Sequence, residues 1–387
     1  MKILDYKILL LLLLFACEPA PKQIAKIEEN MNEKLLAYIG TYTRTEGHVN
    51  GKAEGIYRVS IDTVNGEIGN QRMLATITNP SFLKISKDGK QLYAVSELAR
   101  EDEPTGYLHQ YEIQKDTLVL LSRLPTDGKA PCHISLDQSG QYVFVTNYVG
   151  GLLKVYQRQA DGKLAAVQSI QLEGSGVHPE QQGSHLHASK ISPDNKWLAV
   201  ADKGSDQIWL FLLDLEKEAL FSAEQVSVKM QAGAGPRHLD WSADGQFLYV
   251  INELDNSVNV IQYNAENQEF VSIQSISTLP KDYEADSFCA DLHLHPNGRF
   301  LYASNRGHNS ITIYRIAPET GRLSWIGYEK TRGEFPRNFN LSPNGNLLFV
   351  ANQNTDNITS YRIDKNGGTL KYLDLNYTIA TPVCIAY

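Results

Sequence analysis

The stretch GPRHLDWSADGQFLYVINE (235–253) is one of six copies of a single phrase in this chain. Each copy opens with a short strand-like segment, passes through a tight turn of the type Ser-x-Asp-Gly, and closes with an aromatic and aliphatic run that ends in Asn or an acidic residue. The copies return roughly every fifty residues, and a period of that length built from short strands is typical of the blades of a β-propeller. The other copies begin at Asn79, Ala130, Gly183, Phe288 and Phe335.

Two more strand-like segments follow each copy, so that one repeat holds four strands, A to D. In the copy above, strands C and D are SVNVIQY (257–263) and FVSIQSI (270–276). The segment TPVCIAY (381–387) supplies a further strand A, and LLAYIGTYT (35–43), at the other end of the chain, supplies its strand B. The sequence therefore predicts an all-β, seven-bladed β-propeller with four antiparallel strands per blade, closed by pairing of the N- and C-terminal strands, which leaves no open edge. The seven C strands begin at residues 55, 107, 152, 207, 257, 310 and 357.

Composition is that of a soluble globular protein and excludes several classes of partner. Hydrophobic residues make up 42% and aromatic residues 9% of the chain, which is ordinary. The formal net charge of −8 gives no basic face, so nucleic acids and anionic membrane surfaces are not expected as partners. No linker-like stretch interrupts residues 35–387, which predicts one propeller domain that acts as a monomer on a small molecule.

The first residues have the composition of an export signal. Two lysines precede an apolar run, Ile8–Ala16, that is too short to span a bilayer. The run leads into Cys17 and resembles the bacterial lipobox, whose cysteine carries the lipid of the mature protein; a plain secretory signal with a chance cysteine is the alternative. Residues 1–17 are thus predicted as a lipoprotein signal and the polar residues 18–34 as a flexible tether. The domain is expected outside the cytoplasm, on the periplasmic or surface face of the envelope, and in contact with the membrane only through that lipid.

Three further cysteines, Cys132, Cys289 and Cys384, fall in strand A segments of different blades. An odd number of cysteines in an exported domain leaves at least one thiol free. Because strand A positions of separate blades lie apart, we expect three buried free thiols and no disulfide.

Strand direction predicts which side chains share one end of the propeller. Strand A runs toward the Ser-x-Asp-Gly turn and strand B runs away from it, so the first residues of A and the last residues of B lie opposite the turn. With strand A innermost, these residues surround one mouth of the central channel and form a polar ligand site. The alternative is that they satisfy backbone groups and one another in a wet channel. The set comprises His133, His187, Arg237, His238, Asp291, Arg337 and Asn338 from strand A, and Glu97, Asn147, Asp202, Glu253, Arg306 and Asn352 from strand B.

Five phrases carry a resemblance to a known family: YIGTYT (38–43), HASKISPD (187–194), GAGPRHLDWSADGQFLYVINEL (233–254), ADLHLHPNGRFLYASNR (290–306) and FPRNFNLSPNG (335–345). Over residues 35–387 the chain resembles the seven-bladed lactonase propellers, which include the propeller-type bacterial 6-phosphogluconolactonase and the fungal carboxymuconate-lactonizing enzyme. In that family a His, a Glu and two Arg are the proposed functional set. The matching positions here are His187, Glu253, Arg237 and Arg306.

The activity implied by this resemblance is hydrolysis of a sugar-acid lactone at the channel mouth. His187 and Glu253 would serve as base and orienter, in an order that the sequence leaves open. Arg237 and Arg306 would bind an anionic group or the oxyanion. The other mouth residues expected to bind substrate are His133, His185, His238, Asp291, Arg337 and Asn147.

The connection GVHPEQQGSHLH (176–187) is longer than the other inter-blade connections and could cover the mouth. It holds His178, His185 and His187, but their spacing matches no common zinc pattern. No acidic cluster resembles the calcium centre of six-bladed lactonases. We therefore predict a site without metal or cofactor.

Export bears on the choice of substrate, because phosphorylated gluconolactone is made in the cytoplasm. Both a 6-phosphogluconolactonase-like activity and hydrolysis of an unphosphorylated aldonic or uronic lactone stay open. A non-catalytic envelope propeller that binds glycan or protein is one alternative. A muconate-type lactonizing (cycloisomerase) activity is the other.

Overall fold

The described residues form a closed ring of β-sheets. The computed structural model describes residues 34–47, 49–214 and 220–387, so the predicted signal peptide, its Cys17 and nearly all of the predicted tether lie outside the described residues. Seven four-stranded antiparallel sheets, the blades, and one two-stranded hairpin make up the sheet structure of these ranges. In the same ranges, no helix has the length and hydropathy needed to cross a membrane. The predicted seven-bladed β-propeller is confirmed.

The strands follow one another in chain order. The chain starts with β1 Lys34–Thr41, β2 Thr45–Glu46, β3 Val49–Asn50, β4 Gly55–Asp62 and β5 Ile68–Thr76. Blade 2 has β6 Leu83–Ile85, β7 Gln91–Ser96, β8 Tyr107–Gln114 and β9 Thr117–Pro125, and blade 3 has β10 Lys129–Leu136, β11 Tyr142–Val149, β12 Leu152–Arg158 and β13 Leu164–Gln171. Blade 4 has β14 Leu186–Ile191, β15 Trp197–Asp202, β16 Gln207–Leu213 and β17 Phe221–Lys229, and blade 5 has β18 Pro236–Trp241, β19 Phe247–Asn252, β20 Ser257–Asn264 and β21 Glu269–Ser277. Blade 6 has β22 Phe288–Leu294, β23 Phe300–Arg306, β24 Ser310–Ile316 and β25 Leu323–Lys330, blade 7 has β26 Pro336–Leu341, β27 Leu347–Asn352, β28 Asn357–Ile363 and β29 Leu370–Thr378, and the chain closes with β30 Pro382–Ala386.

Blade 1 closes the ring with strands from both ends of the sequence. Its strand order is β30-β1-β4-β5, so the last strand of the chain is strand A and the first is strand B. The register pairs Tyr38 with Ala386 and Gly40 with Cys384. The predicted pairing of the terminal strands is therefore confirmed.

The core lies between blades, because each sheet is covered on both faces by its neighbours. Every residue of β15 and of β19 is buried, as expected for a B strand inside such a stack. One hydrophobic cluster joins Trp197 and Leu210 of blade 4 to Trp241 and Val250 of blade 5. Packing of this kind lets a chain of this length fold around several small cores instead of one large one.

The Ser-x-Asp-Gly turns are fixed by their own side chains. In blade 5, Ser242 Oγ donates to Asp244 Oδ1 over 2.6 Å, and the backbone amide of Phe247 donates to Ser242 Oγ over 2.9 Å. Gly245 has a φ of +72°, a left-handed conformation that favours glycine. Each such turn reverses the chain between strands A and B, and so defines a turn side of the ring opposite the mouth.

The three cysteines of the domain are buried and free, as predicted. Burial raises the pKa of Cys132, Cys289 and Cys384 to about 12 in each case. The thiols are therefore protonated near neutral pH, and none of them is an activated nucleophile.

Candidate active site

A polar residue at or near the end of strand B holds the blade together. In blade 3 this residue is Asn147, whose Nδ2 donates to the backbone oxygens of Leu152 (3.0 Å) and Thr126 (3.4 Å). In blade 4 it is Asp202, which is fully buried and accepts five hydrogen bonds from neighbouring groups. Asn352 in blade 7 also donates to the connection before its own blade. These three predicted mouth residues thus lie in the walls of the blades.

The residue that follows this position lies at the mouth itself. Side chains alternate along a strand, so a step of one residue changes the face on which a side chain lies. Contacts among these residues run from blade to blade: Lys203 Nζ lies 3.1 Å from the hydroxyl of Tyr148 and 2.8 Å from Glu253 Oε1. Tyr42, Tyr148, Lys203 and Gln353 were not in the predicted set. Aligning the repeats on Asn147, Asp202 and Asn352 would have found the last three, whereas Tyr42 follows Thr41 and lacks that signal. The full set is Tyr42, Glu97, Tyr148, Lys203, Glu253, Arg306 and Gln353.

Bulges in strand A supply the second group of mouth residues. In blade 5 the pairing passes from Pro236–Asn252 to His238–Ile251, which leaves Arg237 outside the ladder. Such a bulge bends the strand and re-aims the extra side chain, and bulges recur next to active sites. The corresponding residues of blades 3, 4, 5 and 7 are Cys132, His187, Arg237 and Arg337.

Glu253 is the centre of an ion-pair cluster that joins three blades. Its carboxylate lies 2.7 Å from Arg237 Nε, 2.9 Å from Arg306 Nη2 and 2.8 Å from Lys203 Nζ. Burial alone would raise the pKa of Glu253, but the charges of Arg306, Lys203 and Arg237 outweigh it and hold the pKa well below its usual range. Glu253 therefore stays ionised, and it fixes the positions of both arginines.

Backbone carbonyls complete the support of the two arginines. Arg237 Nη1 donates to the carbonyl of Ala290, and Arg306 Nη2 donates to that of Cys289 over 2.7 Å. Burial and the charge of Arg306 lower the pKa of Arg237 to about 10, which leaves Arg237 cationic near neutral pH. Each guanidinium has five N–H donors and keeps some for a ligand.

His187 lies next to this cluster as a neutral imidazole. Its side chain is buried. The centroid of its ring lies 5.2 Å from that of His238 and 5.8 Å from that of Tyr148. Within the described residues, its Nδ1 has no hydrogen-bond partner. Burial, together with the charge of Arg237, holds the pKa of His187 well below its usual value. Among the residues that the structure describes, no hydrogen bond joins His187 to Glu253, so the predicted base and orienter do not form a hydrogen-bonded pair here.

Arg337 has the least engaged cation at the mouth. Its Cζ lies 5.4 Å from the centroid of the Tyr42 ring, and the Tyr42 hydroxyl donates to the carboxylate of Glu97 over 2.9 Å. In the part of the chain that the structure describes, no hydrogen bond or ion pair engages the Arg337 guanidinium. This group is therefore free to bind an anion.

The bulge residues enclose one narrow cleft. His187, Arg237 and Arg337 line it together with Glu97 and Cys132. The space left among them is about 10 Å³, roughly the room that one water molecule needs. The other members of the ion-pair cluster are not among the residues that line the cleft. The cleft thus combines a neutral imidazole, a supported arginine and a free arginine.

The long connection before blade 4 is attached to the rim of the mouth. Glu180 lies 2.7 Å from Lys203 Nζ, and Gln181 Nε2 donates to the backbone oxygen of Lys203 over 2.7 Å. His185 stacks on the ring of Tyr148 with centroids 4.6 Å apart, and its ring is outside the cleft. His178 accepts from the backbone amide of Glu180. The described residues contain no cluster of three or more His, Cys, Asp or Glu side chains arranged for a metal ion.

Three predicted mouth residues lie deeper in the channel. His133, His238 and Asp291 line a larger cavity on the turn side, as does a fourth predicted residue, Asn338; of these, His238 and Asn338 also border the cleft. His238 Nδ1 is paired with Asp291 Oδ1 at 2.7 Å. The structure thus separates the predicted binding residues into a mouth group and a turn-side group.

Comparison with known proteins identifies the family. A sequence model of the family described as "Lactonase, 7-bladed beta-propeller" matches residues 36–387. The chain belongs to this lactonase family. It is accordingly an enzyme of the lactonase type.

Relatives of this lactonase include enzymes with named activities. A 6-phosphogluconolactonase of Bacillus subtilis is 31% identical over 79% of this chain and 84% of its own, and one of Formosa agariphila is 34% identical over 78% and 85%. The solved structure of a periplasmic gluconolactonase of Pseudomonas aeruginosa matches with a TM-score of 0.84 and 31% identity, over 91% of this chain and 98% of that one. The expected activity, lactone hydrolysis, is supported at this level.

Proposed function

We propose that the protein hydrolyses an anionic sugar-acid lactone at the channel mouth. His187 is the base, Arg237 donates hydrogen bonds to the oxyanion, and Arg337 binds the anionic group of the substrate. The observation that carries this proposal is the narrow cleft in which these three side chains meet. The ion pairs of Glu253 support it, because they make that carboxylate a positioning group for Arg237 and Arg306 and a poor base.

The reaction needs one proton transfer in each direction. Water bound in the cleft attacks the lactone carbonyl carbon while His187 takes a proton from that water. The carbonyl electrons move to the oxygen, and the N–H groups of Arg237 stabilise the oxyanion. Collapse of the intermediate breaks the bond between the carbonyl carbon and the ring oxygen, which takes the proton back from the imidazolium. The product is a hydroxy acid that ionises in solution.

The charge at the mouth favours a substrate with a carboxylate or phosphate group away from the lactone. Lys203, Arg237, Arg306 and Arg337 carry positive charge there, against two buried carboxylates. This excess is local, since the whole chain has a net charge of −8. A free guanidinium binds either anion with fork geometry. Relatives named for phosphorylated and for unphosphorylated gluconolactone are both known, so both substrates are candidates.

Hydrolysis rates of purified protein test the proposal. Gluconolactone, its 6-phosphate and glucuronolactone are followed by pH-stat at neutral pH. Arg237→Met should lower kcat by about 10²–10³, the usual cost of one oxyanion donor. Arg72→Met is the matched control, because Arg72 is an exposed arginine in the outer strand of blade 1. The proposal fails if wild type opens none of the lactones, or if Arg237→Met behaves like Arg72→Met.

The two rival functions give different results in the same assays. A non-catalytic propeller would show no lactone turnover and would bind glycan or protein through exposed loops, whatever stands at Arg237. A lactonizing enzyme would consume a muconate-type diacid and would leave sugar lactones unchanged.

Export and lipid anchoring at Cys17 form part of the proposal. They are supported by the apolar run before Cys17 and by the periplasmic gluconolactonase among the relatives. Cys17→Ser should abolish incorporation of labelled palmitate and move the protein from the membrane fraction. Wild type that takes up no lipid would refute the anchor.

A further inference from the structure

A second cavity occupies the turn side of the channel, with a volume of about 380 Å³, in the range of small-molecule sites. The rings of Phe82, His133 and His238 separate it from the cleft. The first two have centroids 4.2 Å apart, and those of His133 and His238 are 5.4 Å apart. We call this space the turn-side chamber; the lining residues used below are Lys84, Ser135, Lys190, Asp291, His293 and Asn340.

The carboxylate in the chamber is already engaged by protein groups. Asp291 is paired with His238 Nδ1 at 2.7 Å and with His293 Nε2 at 3.1 Å. It also accepts a hydrogen bond of 2.6 Å from Asn338 Nδ2. Asp291 is therefore saturated and has little attraction left for a cation in the chamber.

The two lysines that line the chamber differ in how far protein groups neutralise their charge. Lys190 is ion-paired to Asp240 at 3.0 Å. Lys84 is exposed, and no hydrogen bond or ion pair engages its ammonium group within the described residues. The positive charge of Lys190, which lines the same chamber, repels that of Lys84. An anion between the two lysines would relieve this repulsion.

We propose that the turn-side chamber is a second binding site, for a small polyhydroxy carboxylate. Its carboxylate would lie between Lys84 and Lys190, and its hydroxyl groups would meet the polar side chains of Ser135, Asn340 and His293. The volume exceeds that of a lone inorganic ion and suits a molecule of sugar-acid size. This inference rests on the chamber alone and does not require activity at the mouth.

Calorimetric titration of the full chain with gluconate tests the site. Lys84→Gln should raise the Kd at least tenfold, whereas Lys84→Arg, which keeps the charge, and Lys90→Gln, which changes an exposed lysine outside the chamber, should stay near wild type. Glucose, which has the hydroxyl groups without the carboxylate, should bind at least tenfold more weakly than gluconate. Equal binding of glucose, or an unchanged Kd in Lys84→Gln, would overturn the proposal.

The ring signals of His293 in an NMR titration assign the binding to the chamber. Gluconate should shift them in wild type and in Arg337→Met, because the mouth arginine lies on the other side of the ring barrier. The shift should be lost in Lys84→Gln, whose melting temperature is measured first. Absence of a shift in wild type refutes the site whatever the variants do. Inorganic phosphate that binds as tightly as gluconate would refute the role of the hydroxyl groups.

Discussion

Glu253 is the single residue that connects most of the mouth. Three cations from blades 4, 5 and 6 meet its carboxylate, and it is nearly buried, so its charge balances groups that water reaches poorly. Removing one partner of such a cluster leaves the remaining charges uncompensated, which costs more than the intact cluster contributes.

Glu253→Gln should therefore affect both stability and activity. We expect the free energy of unfolding to fall by about 3–5 kcal/mol, as for a broken buried ion pair, and kcat to fall with it as the arginines lose their support. Chemical denaturation and pH-stat rates measure the two effects. The depressed pKa of Glu253 stabilises the fold above the unfolded value of about 4.3, and this contribution is lost as pH falls from there through the folded pKa. The variant should lack that acid loss; an equal acid loss would contradict the cluster.

The lowered pKa of His187 predicts an unusual pH profile. A free imidazole gains its proton near pH 6.5, but burial and Arg237 keep this ring neutral to lower pH. The value of kcat/KM should stay level as pH falls past about 6.5 and decline only as pH passes the lowered pKa. The His187→Gln variant should lose most of its activity, and the remaining activity should not show this decline at low pH. A wild-type half-loss near pH 6.5 would show that the base is another group or that His187 is solvated.

At the scale of the strand, one position separates support from chemistry. A polar residue at or near the end of strand B fastens the blade, and the next residue reaches the mouth, as Asn147 and Tyr148 show. In strand A, bulges have the same effect: they leave His187 and Arg237 outside the hydrogen-bonded ladder, so that these side chains reach the mouth.

Asn147→Ala tests this division. Loss of its two hydrogen bonds, with the backbone oxygens left buried, should lower the free energy of unfolding by about 1–3 kcal/mol. The value of kcat/KM should stay within about threefold of wild type. If Asn147 made a hydrogen bond to the substrate, its loss would cost about 1 kcal/mol and would lower kcat/KM by more than threefold. A large rise in KM with unchanged stability would return Asn147 to the substrate-binding set.

The sequence predicted the strands because their signal is local. Alternating polarity and Asp-Gly turns repeat in each copy. One strand is left over at each end of the chain, and pairing these two strands completes blade 1 and closes the ring. The sequence could not predict that Glu253 pairs with three cations and makes no hydrogen bond to His187, since that depends on the packing of three neighbouring blades. Lys203 is hard to predict for a different reason: it follows Asp202 at the polar end of strand B, and the sequence does not show which of these two adjacent side chains reaches the mouth.

At the scale of the whole molecule, one short strand holds the ring closed. β30 is the innermost strand of blade 1, and Val383, Cys384 and Ile385 within it are buried. It also packs beside strand A of both neighbouring blades.

Deletion of Pro382–Tyr387 should open the ring and expose the edge of β1. We expect a large drop in melting temperature and aggregation through that edge, measured by differential scanning fluorimetry and light scattering. Removal of Tyr387 alone, which lies beyond β30, is the control and should have a much smaller effect. A soluble truncated protein with the melting temperature of wild type would contradict the closure.

The pairing in blade 1 also sets an orientation. β1 enters its blade at Lys34, opposite Asp62, and runs from the turn side toward the mouth. Whatever precedes Lys34 is therefore joined to the turn side. If Cys17 carries a lipid, as proposed above, the domain is attached to its anchor by the face of the ring opposite the cleft. The point of attachment would then leave the cleft unobstructed for substrate that diffuses in from water.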